Sequence, residues 1–232
     1  MTQPVDTRQV SYQLIFRALH DLQAPARHAK SFLSIFRESI DESKLSPESI
    51  EMLNAATKAT DEMRDRFVSI RSVLSVPLVV ETVSTIDLAE GITMAWDQVV
   101  AQHDGDFSRP EITGSATIDS DDVLVVNLLA SLLDNSIRFR KPDVPLQIEC
   151  RIVENADTVT VEIEDNGLGI DSDRVDWLIE PFNRGQHHDG LGLGLTRCMC
   201  ISKTIGCHFT MQSDGESGTT VLLTFPKQIQ EG

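Results

Sequence analysis

The sequence predicts an α+β protein in two parts: an N-terminal helical hairpin that pairs with a second copy as a dimeric four-helix bundle, then an α/β sandwich. Three observations predict it. Residues 8–76 carry apolar side chains at helical spacing, with one polar break. Beyond Pro77, strand-like alternation and helical runs take turns. And two helices alone bury too little surface to be stable, so a second hairpin is the simplest cover, with contact to the second part of the chain as the alternative. The boundary falls at 77–80, giving domains 1–76 and 77–232.

In the first helix Ile15, Leu19, Leu22, Ala26, Ala29, Leu33, Phe36 and Ile40 form one stripe. The break is 41–47, where Ser46 can cap a second helix that has Pro47 in its first turn. That helix repeats Leu53, Ala56, Thr60, Met63, Phe67, Ile70 and Leu74 at spacings of three and four, a packing seam. In the second part, 80–87 reads as a strand and 88–102 as a helix. A second helix covers 121–140, with Asp119, Ser120 or Asp121 as its cap. Runs 146–153 and 158–164 read as a hairpin, 191–205 as a third helix, and 208–213 with 219–225 as a last hairpin. Such an order suggests helices on one face of a sheet.

Composition narrows the class. The 232 residues are 41% hydrophobic and 24% charged, ordinary for a soluble globular protein. No run approaches the ~20 apolar residues of a membrane span, and the polar start lacks signal-peptide features; a cytoplasmic protein is expected. A net charge of −16 repels nucleic acid and anionic membranes and suits a partner with a basic face. The four cysteines form no C-x-x-C pair and read as buried free thiols.

Four segments carry chemistry. At ~100° per residue, His20 lies ~140° from Ile15, off the packing stripe and beside Asp21. A surface His next to an Asp is ordinarily a solvated pair. A neutral imidazole near a carboxylate is also a good nucleophile. Asp165-Asn166-Gly167-Leu168-Gly169-Ile170 follows a strand. Its glycines permit a tight path against a flat ligand, and Asp165 can accept from an exocyclic amine; a plain turn is the alternative. Gly190, Gly192 and Gly194, interleaved with Leu, open a helix whose N–H groups can surround phosphates. Finally, Asn135 stands in an apolar helix, where its amide oxygen can ligate Mg²⁺. Arg138, three residues on, can reach a phosphate.

Together these segments resemble the sensor histidine kinase catalytic core. His20-Asp21-Leu22-Gln23-Ala24-Pro25 looks like the H box, the segment around Asn135 like the N box, 165–170 like the G1 box, Glu180-Pro181-Phe182 like the F box and 190–195 like the G2 box, in the family's order. The H-box wording and Ile137-Arg138-Phe139-Arg140 are most similar to phytochrome-type kinases. The resemblance implies a dimerisation and histidine-phosphotransfer hairpin, followed by an ATP-binding sandwich of the histidine kinase/gyrase type. Carried over by position, His20 is the phosphoacceptor and Asp21 its acid/base neighbour. Asn135 holds Mg²⁺ and Asp165 reads the adenine amine of ATP. Gly167 and Gly169 shape the adenine pocket. Gly190, Gly192 and Gly194 form the phosphate loop, and Arg138 matches a basic position near the phosphates. The implied partners are the receiver domain of a response regulator and a second copy of this chain through the hairpin. A sensor or regulator acts in trans or from a missing part of a longer chain.

Three departures sharpen that expectation. Ala24 stands where many members carry Thr or Asn to position water, so phosphatase activity by that route is expected to be weak. Ser131 stands where many N boxes have Asn and related ATPases have Glu, so simple ATP hydrolysis is disfavoured. The lid 183–189 is short, and its adjacent His187 and His188 read as solvated rather than as metal ligands. The alternative to a kinase is a histidine phosphotransfer protein of the same architecture with an inactive nucleotide site; an ATPase or serine kinase of the same nucleotide fold is a third reading.

Overall fold

The computed structural model describes residues 7–41, 44–80, 82–180, 183 and 192–227; the side chains of residues 7–14, 20, 176 and 179 lie outside that description. The chain divides into two compact units, the first running to Ser75 and the second beginning at Val76.

The first unit is a pair of long helices, α1 (Thr7–Ser39) and α2 (Pro47–Leu74). Ser46 caps α2, its hydroxyl accepting the Ser49 N–H at 3.2 Å, and Pro47 occupies the first turn, where a missing N–H costs nothing. Pro25 sits inside α1 and has no N–H to complete the local ladder. Lys30 Nζ meets Asp61 Oδ1 at 2.5 Å and joins the two helices, and this hydrogen bond, with the Lys30 charge behind it, draws the Asp61 pKa down. The apolar stripe is only partly covered. Ala26 and Leu53 are buried, and Leu19, Ala29, Leu33, Phe67, Ile70 and Leu74 are half-buried. Ile15, Leu22 and Phe36 stay half exposed, and Ala56 and Met63 are exposed.

The second unit starts with a two-stranded ribbon, β1 (Ser84–Asp87) antiparallel to β3 (Thr117–Ser120). The strand expected over 80–87 is confined to its last four residues, because the ladder with β3 ends at Ser84 and Val83 is exposed. Asp87 caps α3 (Leu88–Val100) by accepting the N–H groups of Ala89 and Glu90, and the helix stops short of 102. Asp121, one of three expected candidates, caps α4 (Asp122–Arg138) through the Leu124 N–H at 3.0 Å. Neither β2 (Glu111–Thr113) nor β3 was expected. Both are too short for alternation to register, and β2 pairs in parallel with β4 (Ile148–Glu154) rather than in a hairpin.

The main sheet has five strands in the order β2-β4-β5-β7-β6. Hairpin β4 (Ile148–Glu154) with β5 (Thr158–Asp165) and hairpin β6 (His208–Ser213) with β7 (Thr219–Pro226) form as expected. The step from β5 to β7 is a long-range antiparallel pair that sets Asp165 opposite Thr219. Side chains alternate along each strand. Ile148, Cys150, Ile152, Val159, Val161, Ile163, Val221, Leu223, Phe225, Phe209 and Met211 face the core, and the opposite face carries polar pairs such as Arg151 with Glu162. Helices α3, α4 and α6 (Gly194–Thr204) cover the apolar face. Their Leu88, Ile92, Leu128, Leu129, Leu133 and Ile201 are wholly enclosed, each stabilising the fold by about 2 kcal/mol. Helix α6 starts at Gly194 rather than at the expected 191, and a short helix, α5 (Val175–Ile179), was not anticipated. Cys150, Cys198 and Cys207 are free and buried, which pushes each thiol up to about 12.

Candidate nucleotide and phosphoacceptor site

Strand β5 delivers Asp165 to the end of the sheet. Its Oδ1 accepts the Gly167 N–H at 2.9 Å and its Oδ2 accepts the Ser136 hydroxyl at 3.0 Å. Burial raises the Asp165 pKa; the Gly167, Ser136 and Thr219 hydrogen bonds and the Lys141 charge oppose that rise. Each carboxylate oxygen still has a lone pair to offer, so Asp165 is a fixed acceptor for an amine donor.

The loop after Asp165 is held from both sides. Leu168 N–H bonds the Phe139 carbonyl at 2.9 Å. A Cβ at Gly167 would stand 2.8 Å from that same oxygen, so the close approach requires glycine. Gly169 has φ +73° and lies against the β6–β7 turn, where a Cβ would come within 2.9 Å of the Gly215 carbonyl carbon. Asn166 braces the loop outward, donating to the Pro145 carbonyl and accepting the Gln147 N–H. Lys141 Nζ bonds the Glu216 carbonyl at 2.8 Å and ties the end of α4 to the same turn.

Asn135, the residue before Ser136 on α4, is half-buried and points its Oδ1 toward Gly194, 3.9 Å from where a Cβ would sit. Among the described residues no protein group hydrogen-bonds its amide, so the oxygen is free to ligate. The residue before α6 is Leu193, which has no side chain to cap the helix. Helices α2, α3 and α4 are capped by Ser46, Asp87 and Asp121, whereas α6 presents bare N–H groups next to Asn135. Bare N–H groups and the helix dipole favour an anion there. Thus Asn135, Gly192, Gly194, Asp165, Gly167 and Gly169, far apart in sequence, belong to one unit; Asn135 faces Gly194, and a hydrogen bond ties Asp165 to Ser136, the residue after Asn135. The donor set fits ATP with Mg²⁺: an amine acceptor, an oxygen ligand and an uncapped helix start.

Arg138 lies on the same helix, but its Nε meets Asp134 Oδ2 at 2.7 Å, and His103 Nε2 meets Asp134 Oδ1 at 2.6 Å. His20 falls within α1, with Asp21 exposed beside it; the His20 side chain lies outside the described residues. Gly190 and Leu191, Pro181 and Phe182 of the F-box segment, and His187 and His188 lie outside them as well.

Residues 120–229 match the family described as histidine kinase-, DNA gyrase B- and HSP90-like ATPase. The histidine protein kinase SaeS of Staphylococcus epidermidis is 23% identical over 95% of this chain and 64% of its own length. Among solved structures, the mycobacterial sensor histidine kinase MprB superposes with a TM-score of 0.54 at 20% identity, over 63% of this chain and 99% of that one. Full-length ShkA in complex with AMPPNP superposes at 0.61 and 15% identity, over 92% of this chain and 45% of that one. The second unit is therefore similar to the ATP-binding domain of histidine-kinase-type proteins, and most of the chain is similar, at lower identity, to sensor kinases. The chain spans less than two thirds of the length of these curated relatives.

Around Asp165, sequence reasoning missed Ser136 and Lys141. Ser136 is buried and holds Asp165 across 29 positions. A hydroxyl on the buried face of an apolar helix was the available signal, since such a group needs a partner. Lys141 had no local signal, because its acceptor is a backbone carbonyl 75 positions away.

Proposed function

We propose that the chain is an ATP-dependent protein histidine kinase that autophosphorylates His20 and passes the phosphoryl group to an aspartate in the receiver domain of a response regulator. The observation that carries this reading is the free Asn135 oxygen beside the uncapped start of α6, in the unit that also fixes the Asp165 acceptor. Asp165 would read the adenine amine, with Gly167 and Gly169 shaping the base pocket. Gly190, Gly192 and Gly194 would surround the phosphates, and Arg138 would lend charge. Asn135 would hold Mg²⁺, which supplies charge neutralisation on the phosphates. An imidazole nitrogen of His20 attacks the γ-phosphorus; the new N–P bond replaces the P–O bond to ADP, and Asp21 or solvent takes the imidazole proton.

In this reading residues 1–76 form the dimerisation and phosphotransfer hairpin and 77–232 the catalytic domain. The exposed Ile15, Leu22 and Phe36 support a homodimer through the hairpin. Among the described residues no helix is long and apolar enough to cross a membrane, and we place the reaction in the cytoplasm, where ATP is available. The likeness of the H-box wording to phytochrome-type kinases stands as our finer reading.

The test is incubation with γ-labelled ATP and Mg²⁺. Acid-labile label is expected in wild type and absent in His20→Ala, with Asn135→Ala reduced at least ~100-fold. Label persisting in His20→Ala would overturn the phosphoacceptor assignment. Absence of label and of ATP binding in folded wild type would leave the phosphotransfer alternative.

A further inference from the structure

Arg197 is a cation in an unusual place. It is the fourth residue of α6, one turn after Gly194 and near the positive end of the helix dipole, where a positive side chain is unfavourable. It is half-buried, and its Nε is buried without a hydrogen-bond partner. Its Nη1 donates to Ser131 Oγ at 2.9 Å, and Ser131 in turn donates to the Asn127 carbonyl. Among the described residues no carboxylate pairs with it. The carboxylate one turn from Ser131 on α4, Asp134, is occupied by His103 and Arg138. The preceding Thr196 hydroxyl is also buried and unpartnered.

The pairs Asn135 with Gly194 and Ser131 with Arg197 run in opposite directions along α4 and α6. Ser131 lies one turn before Asn135, as Arg197 lies one turn after Gly194. A half-buried charge without a counter-charge is costly unless something negative completes it. We propose that Arg197, held in place by Ser131, is a phosphate-binding residue whose counter-charge is the terminal phosphate of the bound nucleotide. The Ser131–Arg197 pair then supplies a cation at the N-box position where a neutral or acidic side chain is usual. The inference rests on the kinase reading for the identity of the nucleotide.

The experiment is calorimetric titration of ATP, ADP and adenosine, each with Mg²⁺, into the full chain. Arg197→Gln should weaken ATP about tenfold or more and leave adenosine unchanged, collapsing the preference for ATP over ADP. Arg197→Lys, which keeps the charge, should retain most of that preference. If Arg197 only ties α4 to α6, Arg197→Gln lowers the melting temperature and keeps the ATP-to-ADP ratio, which overturns the proposal. If Arg197→Gln does not fold, Ser131→Ala decides: it should weaken ATP about threefold with adenosine unchanged, and an unaltered ATP affinity overturns the proposal. Wild type that binds ATP and labels His20, with a ratio indifferent to Arg197, defeats this inference alone. Folded wild type that binds no ATP defeats the kinase reading as well.

Discussion

The two units handle their apolar surface in opposite ways. The sandwich encloses its own: Leu88, Ile92, Val125, Leu128, Leu133, Val161 and Leu223 are shut away from solvent by a sheet and three helices of the same chain. In the hairpin, Ala26 and Leu53 are the buried apolar side chains among those described, while Phe32, Ile35, Phe36 and Met52 are more than half exposed. Yet both units obey the same local rules. Each has capped helices, and each has apolar residues at helical spacing. The difference teaches that helical patterning marks a face to be covered without saying what covers it. A five-stranded sheet supplies that cover in one unit, and a second copy of the chain is our proposal for the other.

The sharpest way to break the comparison is to truncate one apolar side chain in each unit. Leu133→Ala should destabilise the sandwich by about 3 kcal/mol, read as a lower urea midpoint. Phe36→Ser removes a half-exposed side chain and should change the stability of an isolated chain by less than ~0.5 kcal/mol. It should instead weaken self-association about tenfold or more, measured by sedimentation equilibrium. A monomeric wild type at micromolar concentration would sink the proposed cover.

Asp165 adds a pH test confined to the sandwich. Its folded pKa is raised, so the folded state binds that proton more readily than the unfolded chain. Asp165 therefore favours the fold below the ordinary carboxylate pKa, and this contribution is lost as pH rises through the raised value. Urea midpoints for wild type relative to Asp165→Asn should fall across that window. Nucleotide affinity should move the other way, because the ionised form is the better acceptor for an amine. A wild-type profile parallel to that of Asp165→Asn would contradict the burial argument.

The helix caps sharpen the comparison from the other side. Ser46→Ala and Asp121→Ala should each cost about 1 kcal/mol, one in each unit, because a cap answers a local need wherever its helix sits. Unequal losses in thermal melts would mean that the hairpin's ends are held by something beyond the cap.

Much of this was legible in the sequence. Ser46 and Pro47 announced α2, and the alternation over 146–164 announced β4 and β5. Elements missed or overdrawn are those whose length is set by a distant partner. Strand β1 is as long as its ladder with β3, and β2 exists because β4 lies beside it. Gly190 and the F-box residues Pro181 and Phe182 lie outside the described residues; Asn135, Asp165 and Gly167 were singled out from residue type and context, and as nucleotide ligands they remain our proposal.

By itself the sequence determined two textures, the helix starts and the residue types able to bind a nucleotide. These are local quantities, set by side-chain periodicity, caps and backbone freedom. Tertiary structure alone decided which of them meet. Ser136 reaches Asp165 across 29 positions, and Arg197 reaches Ser131 across 66. Such bonds have no local precursor; they form only when packing α4 against α6 and the sheet removes water from groups that must then satisfy one another.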